Sequence, residues 1–177
     1  MDEPTSDSVE RELSTWLAQM EGADPRVEAA RQRIGRLARL FARSLEQVAE
    51  DQEMSLGDWE ALSVIVRAGG RCTPKELAEA LGLTSGTVSV RLERLTRAGL
   101  VQAVTHADGR SRPVAVTSQG RKRWREATAA RTRAEQELFG VLEPEQQDEL
   151  NNALRVLLNR YESVFGEASR HDRTDVG

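Results

Sequence analysis

The chain has 177 residues, 25 Lys/Arg against 29 Asp/Glu, a net charge of −4, and only three Phe, three Trp and one Tyr. A chain of this length holds one main core with extensions, and so few aromatics suggest a helical protein. No run approaches the ~18 consecutive apolar residues of a membrane span, the acidic start Met1-Asp2-Glu3 lacks a signal peptide's basic opening, and a lone Cys72 excludes an internal disulfide, so a cytoplasmic protein is expected.

Val9, Leu13, Trp16, Leu17 and Met20 fall on one helical face, which predicts a helix within residues 1–22, broken at Gly22-Ala23. Asp24-Pro25 then opens a long helix, to about residue 53, in which Val27, Ala30, Ile34, Leu37, Ala38, Phe41, Leu45 and Val48 recur near every 3.5 residues. At 1.5 Å per residue it spans about 40 Å and needs a partner along its apolar stripe. Ser55 is placed to cap a third helix, Leu56 to Arg67, with Asp58 three residues on as in a capping box. Gly69-Gly70 ends it, and the β-leaning Arg71-Cys72 is a candidate third strand.

Thr73-Pro74-Lys75-Glu76 combines an N-cap threonine, a proline at the first helical position and a glutamate that closes a capping box. The helix it starts carries Leu77, Ala80 and Leu81 inward and stops at Gly82, where a left-handed residue fits. Thr84 caps the next helix, whose Val88, Leu92 and Leu95 face inward and whose Ser85, Thr87, Ser89, Arg91 and Arg94 are left for solvent or a partner. Gly99 ends it. Two short helices joined by so tight a turn form a helix-turn-helix, which offers the N-terminal part of its second helix to base edges in the major groove. Thr84, Ser85, Thr87, Ser89, Arg91 and Arg94 are therefore candidate DNA contacts.

Residues 100–104 and 113–117 are β-leaning and flank a hairpin tip, 105–112, with Asp108-Gly109 at the turn. The fold expected is mainly α with a small β wing, a winged helix-turn-helix over residues 55–120. Arg110 and Arg112 are candidate contacts to phosphates or the minor groove, and Asp108 is placed to brace the wing by pairing with an arginine. Charge follows the same division. Residues 67–133 hold 14 Lys/Arg and 5 Asp/Glu, a local +9, against −13 for the remainder, so a basic segment that attracts phosphates sits between acidic arms.

Residues 121–167 are read as two more helices, one running from Arg121 to about Leu138 and one opened by Pro144 and striped by Leu150, Ala153, Leu154, Leu157, Leu158, Tyr161, Val164 and Phe165. The first and last helices are unsatisfied alone and are expected to pack together and against a second copy, presenting two recognition helices to a pseudo-palindromic operator. The tail, 168–177, is polar and expected to be disordered.

The run Leu77-Ala78-Glu79-Ala80-Leu81-Gly82-Leu83, with Arg94-Leu95, Ala98-Gly99-Leu100-Val101, Asp108-x-Arg110 and Val116-Thr117-x-x-Gly120, resembles the MarR family of transcriptional regulators. That resemblance implies dimerisation helices at both chain ends around a winged DNA-binding domain. The N-terminal helix adds a partial likeness to the family's urate-responsive branch, in which a tryptophan, an acid after the tryptophan of the neighbouring helix and two arginines form a ligand pocket. Trp16, Glu60 after Trp59, and Arg91 match it, while the second arginine falls at Ala103, so a small anionic or aromatic ligand is implied but urate itself is not. The plain alternative for Trp16 is helix packing.

No material for an enzyme is visible. His106 and His171 have no partners at metal-ligand spacing, no nucleophile elbow or phosphate loop is present, and no cofactor is expected. Cys72, just before a helix N-cap, is read as structural, with redox sensing as its alternative. The sequence reads as a homodimeric repressor released by a small molecule, against the alternatives of a ligand-insensitive activator or architectural DNA binder and of a winged-helix protein scaffold. In the first reading, Arg110→Ala weakens binding to every duplex alike and lowers the salt slope by about 0.9, whereas changes at Thr87 or Ser89 alter sequence preference. Equal losses on specific and random DNA from all three would contradict this division.

Overall fold

A computed structural model describes residues 6–104 and 112–167, in two compact units, Met1–Gln47 and Val48–Gly177. Helix α1 (Ser8–Leu17) starts where Asp7 accepts the Glu10 N–H at 2.8 Å, and α2 (Pro25–Asp51) starts at a proline, with Asp24 accepting the Arg26 N–H at 2.8 Å. Helix α1 ends earlier than its apolar face suggested. Beyond Leu17 the chain turns through short bonds from the Gln19 N–H to the Trp16 carbonyl and from the Met20 N–H to that of Leu17, leaving Met20 exposed while Val9 is buried.

Polar contacts join the two helices of this unit. Arg33 Nε donates to Asp7 Oδ2 at 2.7 Å, a bond that holds the Asp7 carboxyl down to about 2. Arg36 donates to Glu12 at 2.6 Å and to the Ser8 hydroxyl, and its guanidinium lies 5.4 Å from the centroid of the Trp16 ring.

The second unit runs α3 (Leu56–Arg67), β1 (Arg71–Cys72), α4 (Pro74–Leu81), α5 (Ser85–Arg97), β2 (Val101–Ala103), β3 (Val114–Val116), α6 (Ser118–Phe139) and α7 (Pro144–Phe165). Its core is built from Leu62 and Ile65 of α3, Leu77 of α4, Val88 and Leu95 of α5, and Val101 of β2, each nearly or fully excluded from water. The strands form an antiparallel sheet in the order β1-β3-β2, with Arg71 opposite Ala115 and Val101 opposite Val116. Arg71-Cys72 is thus the third strand, and Gly69 and Gly70, both at positive φ, make the bend into it.

The caps set the boundaries. At α4 the Thr73 hydroxyl accepts the Glu76 N–H and the Glu76 carboxylate accepts the Thr73 N–H at 2.7 Å, and Gly82 closes the helix at φ +62°. At α3 the box is only half made: Ser55 accepts the Asp58 N–H at 3.1 Å, but the Asp58 carboxylate is taken by Arg94. Helix α6 begins three residues before the Arg121 expected from sequence, because Thr117 caps it. The Thr117 hydroxyl accepts the Gly120 N–H and donates to the Gly99 carbonyl at 2.7 Å. A single residue thereby joins the end of α5 to the start of α6.

Helix α7 buries no residue, and Leu150, Leu154, Leu157, Leu158, Tyr161 and Val164 are all exposed. Tyr161 and Phe165, one turn apart, stack with centroids 6.0 Å apart. No helix of the described residues is long and apolar enough to cross a membrane.

A Cβ on Gly120 would stand 2.0 Å from the Leu100 carbonyl oxygen, a backbone atom that cannot step aside. Gly120→Ala is expected to cost about 1–3 kcal/mol or more in denaturant unfolding, as overpacking does. An unchanged midpoint would contradict this close approach of α6 to the sheet.

Candidate nucleic-acid interface

Helix α5 is capped by Thr84, whose hydroxyl accepts the Thr87 N–H at 3.3 Å and lies 3.0 Å from the Thr87 hydroxyl. Thr84 is therefore committed to the turn as well as exposed. Ser85, Thr87 and Ser89 are all exposed on the first two turns, with the Ser89 hydroxyl donating to the Ser85 carbonyl at 2.8 Å. Ser85 and Ser89 border a shallow groove whose other wall is Pro74, Lys75, Ala78 and Leu83. Arg112 is exposed at the entry to β3, while Asp108 and Arg110 lie outside the described residues.

The arginines of α5 differ from the expectation. Arg91 turns inward, 8% exposed, donating to the Gly57 carbonyl at 2.9 Å and to Glu60 Oε2 at 3.3 Å. Its spacing allowed an outward position, but the N-terminus of α3 supplies a carbonyl and a carboxylate beside it, and a guanidinium so matched is stable when buried. A Cβ on Gly57 would stand 2.7 Å from the Arg91 guanidinium carbon, so the absence of a side chain there makes the seat. Arg94 is half-exposed and donates to Asp58 at 2.8 Å. Two ion pairs thus tie α5 to α3, and Asp58 and Glu60 belong to the candidate site as positioning residues. Periodicity could not reveal those cross-helix partners.

Of the candidate ligand residues, Glu60 and Arg91 are brought together, each satisfying the other, and Trp16 lies in the first unit beside Arg36. The tryptophan before Glu60 has surroundings that the sequence did not disclose. Trp59 is buried, its indole N–H has no hydrogen-bond partner among the described residues, and the Arg131 guanidinium lies 5.7 Å from its ring centroid. One further turn along α3, Ser63 accepts the Trp124 indole N–H at 3.0 Å.

Cys72 is buried in β1, and burial, with a smaller push from the Glu76 carboxylate, raises its thiol to about 11. Among the described residues no group of three or more His, Cys, Asp or Glu side chains is placed to hold a metal ion.

Residues 53–111 match the model of the MarR family. The chain is 26% identical over 127 residues, 72% of its length and 92% of the relative's, to the uncharacterised HTH-type transcriptional regulator YwoH of Bacillus subtilis. Its fold resembles that of MepR, a transcription regulator of the Staphylococcus aureus multidrug efflux pump MepA, with TM-score 0.67 and 22% identity over 72% of this chain and 95% of MepR. It also resembles a mutant MepR bound to an oligodeoxyribonucleotide, with TM-score 0.59 and 21% identity over 75% and 97% of the two chains.

Arg91→Ala is expected to lower stability by about 1–3 kcal/mol, because Glu60 and the Gly57 carbonyl lose their shared donor. Unchanged stability with altered sequence preference would return Arg91 to base reading. Cys72 in the native chain at pH 8 is expected to resist a thiol reagent until denaturant is added, and rapid native labelling would contradict its burial.

Proposed function

We propose that this chain, whose residues 53–111 match the MarR family model, is a transcription regulator of that family that acts in the cytoplasm as a homodimeric DNA-binding repressor released by a small molecule. The observation that carries the reading is the capped α4, the left-handed Gly82 and the buried inner row of α5, which together leave Ser85, Thr87 and Ser89 facing outward. A helix presented in this way fits the major groove. Arg112, and from sequence Arg110, would hold phosphates beside it.

A second copy is supported by α7, whose exposed leucine row is larger than a solvated helix needs. The solution mass should be twice 19.7 kDa. Leu157→Glu is expected to give the monomer and to weaken operator binding at least about tenfold, since two linked half-sites reinforce one another. A wild-type monomer that binds its operator fully would contradict the dimer.

The ligand reading rests on the α3 surroundings: a buried, unpaired Trp59 N–H, the Arg131 guanidinium over the same ring, and the Arg91–Glu60 pair on the adjoining side of α3. A small aromatic anion has the chemistry to satisfy these groups. Release needs a ligand that prefers a conformation with low DNA affinity. The test is binding to the DNA upstream of the chain's own gene, across salt concentrations, with aromatic carboxylates added. Specific binding abolished by a ligand is the expected result. Binding that no such compound changes would contradict ligand release, and no specific binding would contradict the regulator reading itself.

A further inference from the structure

Each of the three arginines on α5 ends on a carboxylate: Arg91 on Glu60, Arg94 on Asp58 at 2.8 Å, and Arg97 on Glu93 at 2.7 Å. The helix does not offer the duplex a row of unpaired cations. Successive helical residues turn by about 100°, so with Val88, Leu92 and Leu95 against the core, Gly86 and Val90 fall on the opposite line, one turn apart.

Both residues are unexplained by this chain's own packing. Val90 is 55% exposed, while every other large apolar side chain of α5 is buried. Gly86 does not have the positive φ that would call for glycine, and a Cβ there would meet nothing nearer than the Thr84 hydroxyl at 3.9 Å. Glycine weakens a helix relative to alanine, so its presence in the first turn is a cost without a structural return inside the protein. A bare backbone beside an outward branched apolar side chain suits a surface that approaches closely and carries an apolar group. In the major groove that group is the thymine methyl.

Resting on the DNA-reading function proposed above, we infer that Val90 is a specificity-determining residue that packs against the 5-methyl group of a thymine, and that Gly86 gives the helix backbone room to approach. The hydroxyls on either side then read neighbouring base edges, and the apolar contact adds selection for the thymine.

Duplexes enriched from a random pool by the full-length chain would be resynthesised with each thymine in turn replaced by deoxyuridine, which lacks only the methyl. At one or more positions the wild-type chain should lose about fourfold in affinity, the worth of one buried methyl-sized group. Val90→Ala should bind the thymine and deoxyuridine duplexes equally at those positions. Gly86→Ala should keep or raise the thermal midpoint while weakening binding, which separates the contact from folding. The assignment is overturned if the wild type shows no methyl dependence at any thymine, if Val90→Ala keeps the same discrimination, or if Gly86→Ala binds as the wild type does. Enrichment without methyl dependence removes this inference alone, whereas a chain that enriches no duplex removes the regulator reading and this inference with it.

Discussion

Burial of Val88, Leu92 and Leu95 fixes the rotation of α5 about its own axis, and the face this chain turns to solvent follows from that rotation. A helix rolled by about 180° would exchange its outward residues for its core ones at the loss of several buried methyl groups, which is prohibitive for a core this small. The pairs Arg91–Glu60 and Arg94–Asp58 add a second restraint by holding the same helix against the N-terminus of α3. Hydrophobic burial sets the angle, and charge-assisted bonds set the distance from α3.

The same contacts couple any change at α3 to the reading face. Asp58 and Glu60 lie on the first turns of α3, and Trp59 between them reaches the Arg131 guanidinium of α6. A shift of α3 relative to α6 therefore acts on α5 through two short ion pairs, without a long relay. That is the physical content of the proposed ligand control: a ligand at Trp59 has to favour one seating of α3 over another.

Much of this architecture was legible because capping chemistry is local. Thr73, Pro74, Glu76, Gly82 and Thr84 each act within four residues of themselves, and Pro25 and Pro144 likewise mark helix starts from their own ring geometry. The start of α6 was missed because Thr117 was counted with the strand, although its hydroxyl serves the following helix. The outward reading of Arg91 missed its burial for another reason, although the family resemblance had grouped it with Glu60. Its partners are Gly57 and Glu60, more than thirty residues earlier, and no periodicity along α5 carries that information. Val90 was left unassigned, although the spacing of Val88, Leu92 and Leu95 already turns it outward, and its 55% exposure is what marks it as unused by the core. Asp108 and Arg110, the wing candidates, lie outside the described residues and rest on sequence alone.

The central claim is that the outward face of α5 docks on duplex DNA while its inner row stays in the core. Methyl-resolved NMR of the full-length chain titrated with an enriched duplex tests it directly, because Val88 and Val90 are two residues apart on opposite sides of one helix. Large shifts of the Val90 methyl resonances with Val88 nearly unmoved are predicted. Shifts confined to α7, or a Val90 that does not respond to a duplex the chain binds tightly, would contradict the account.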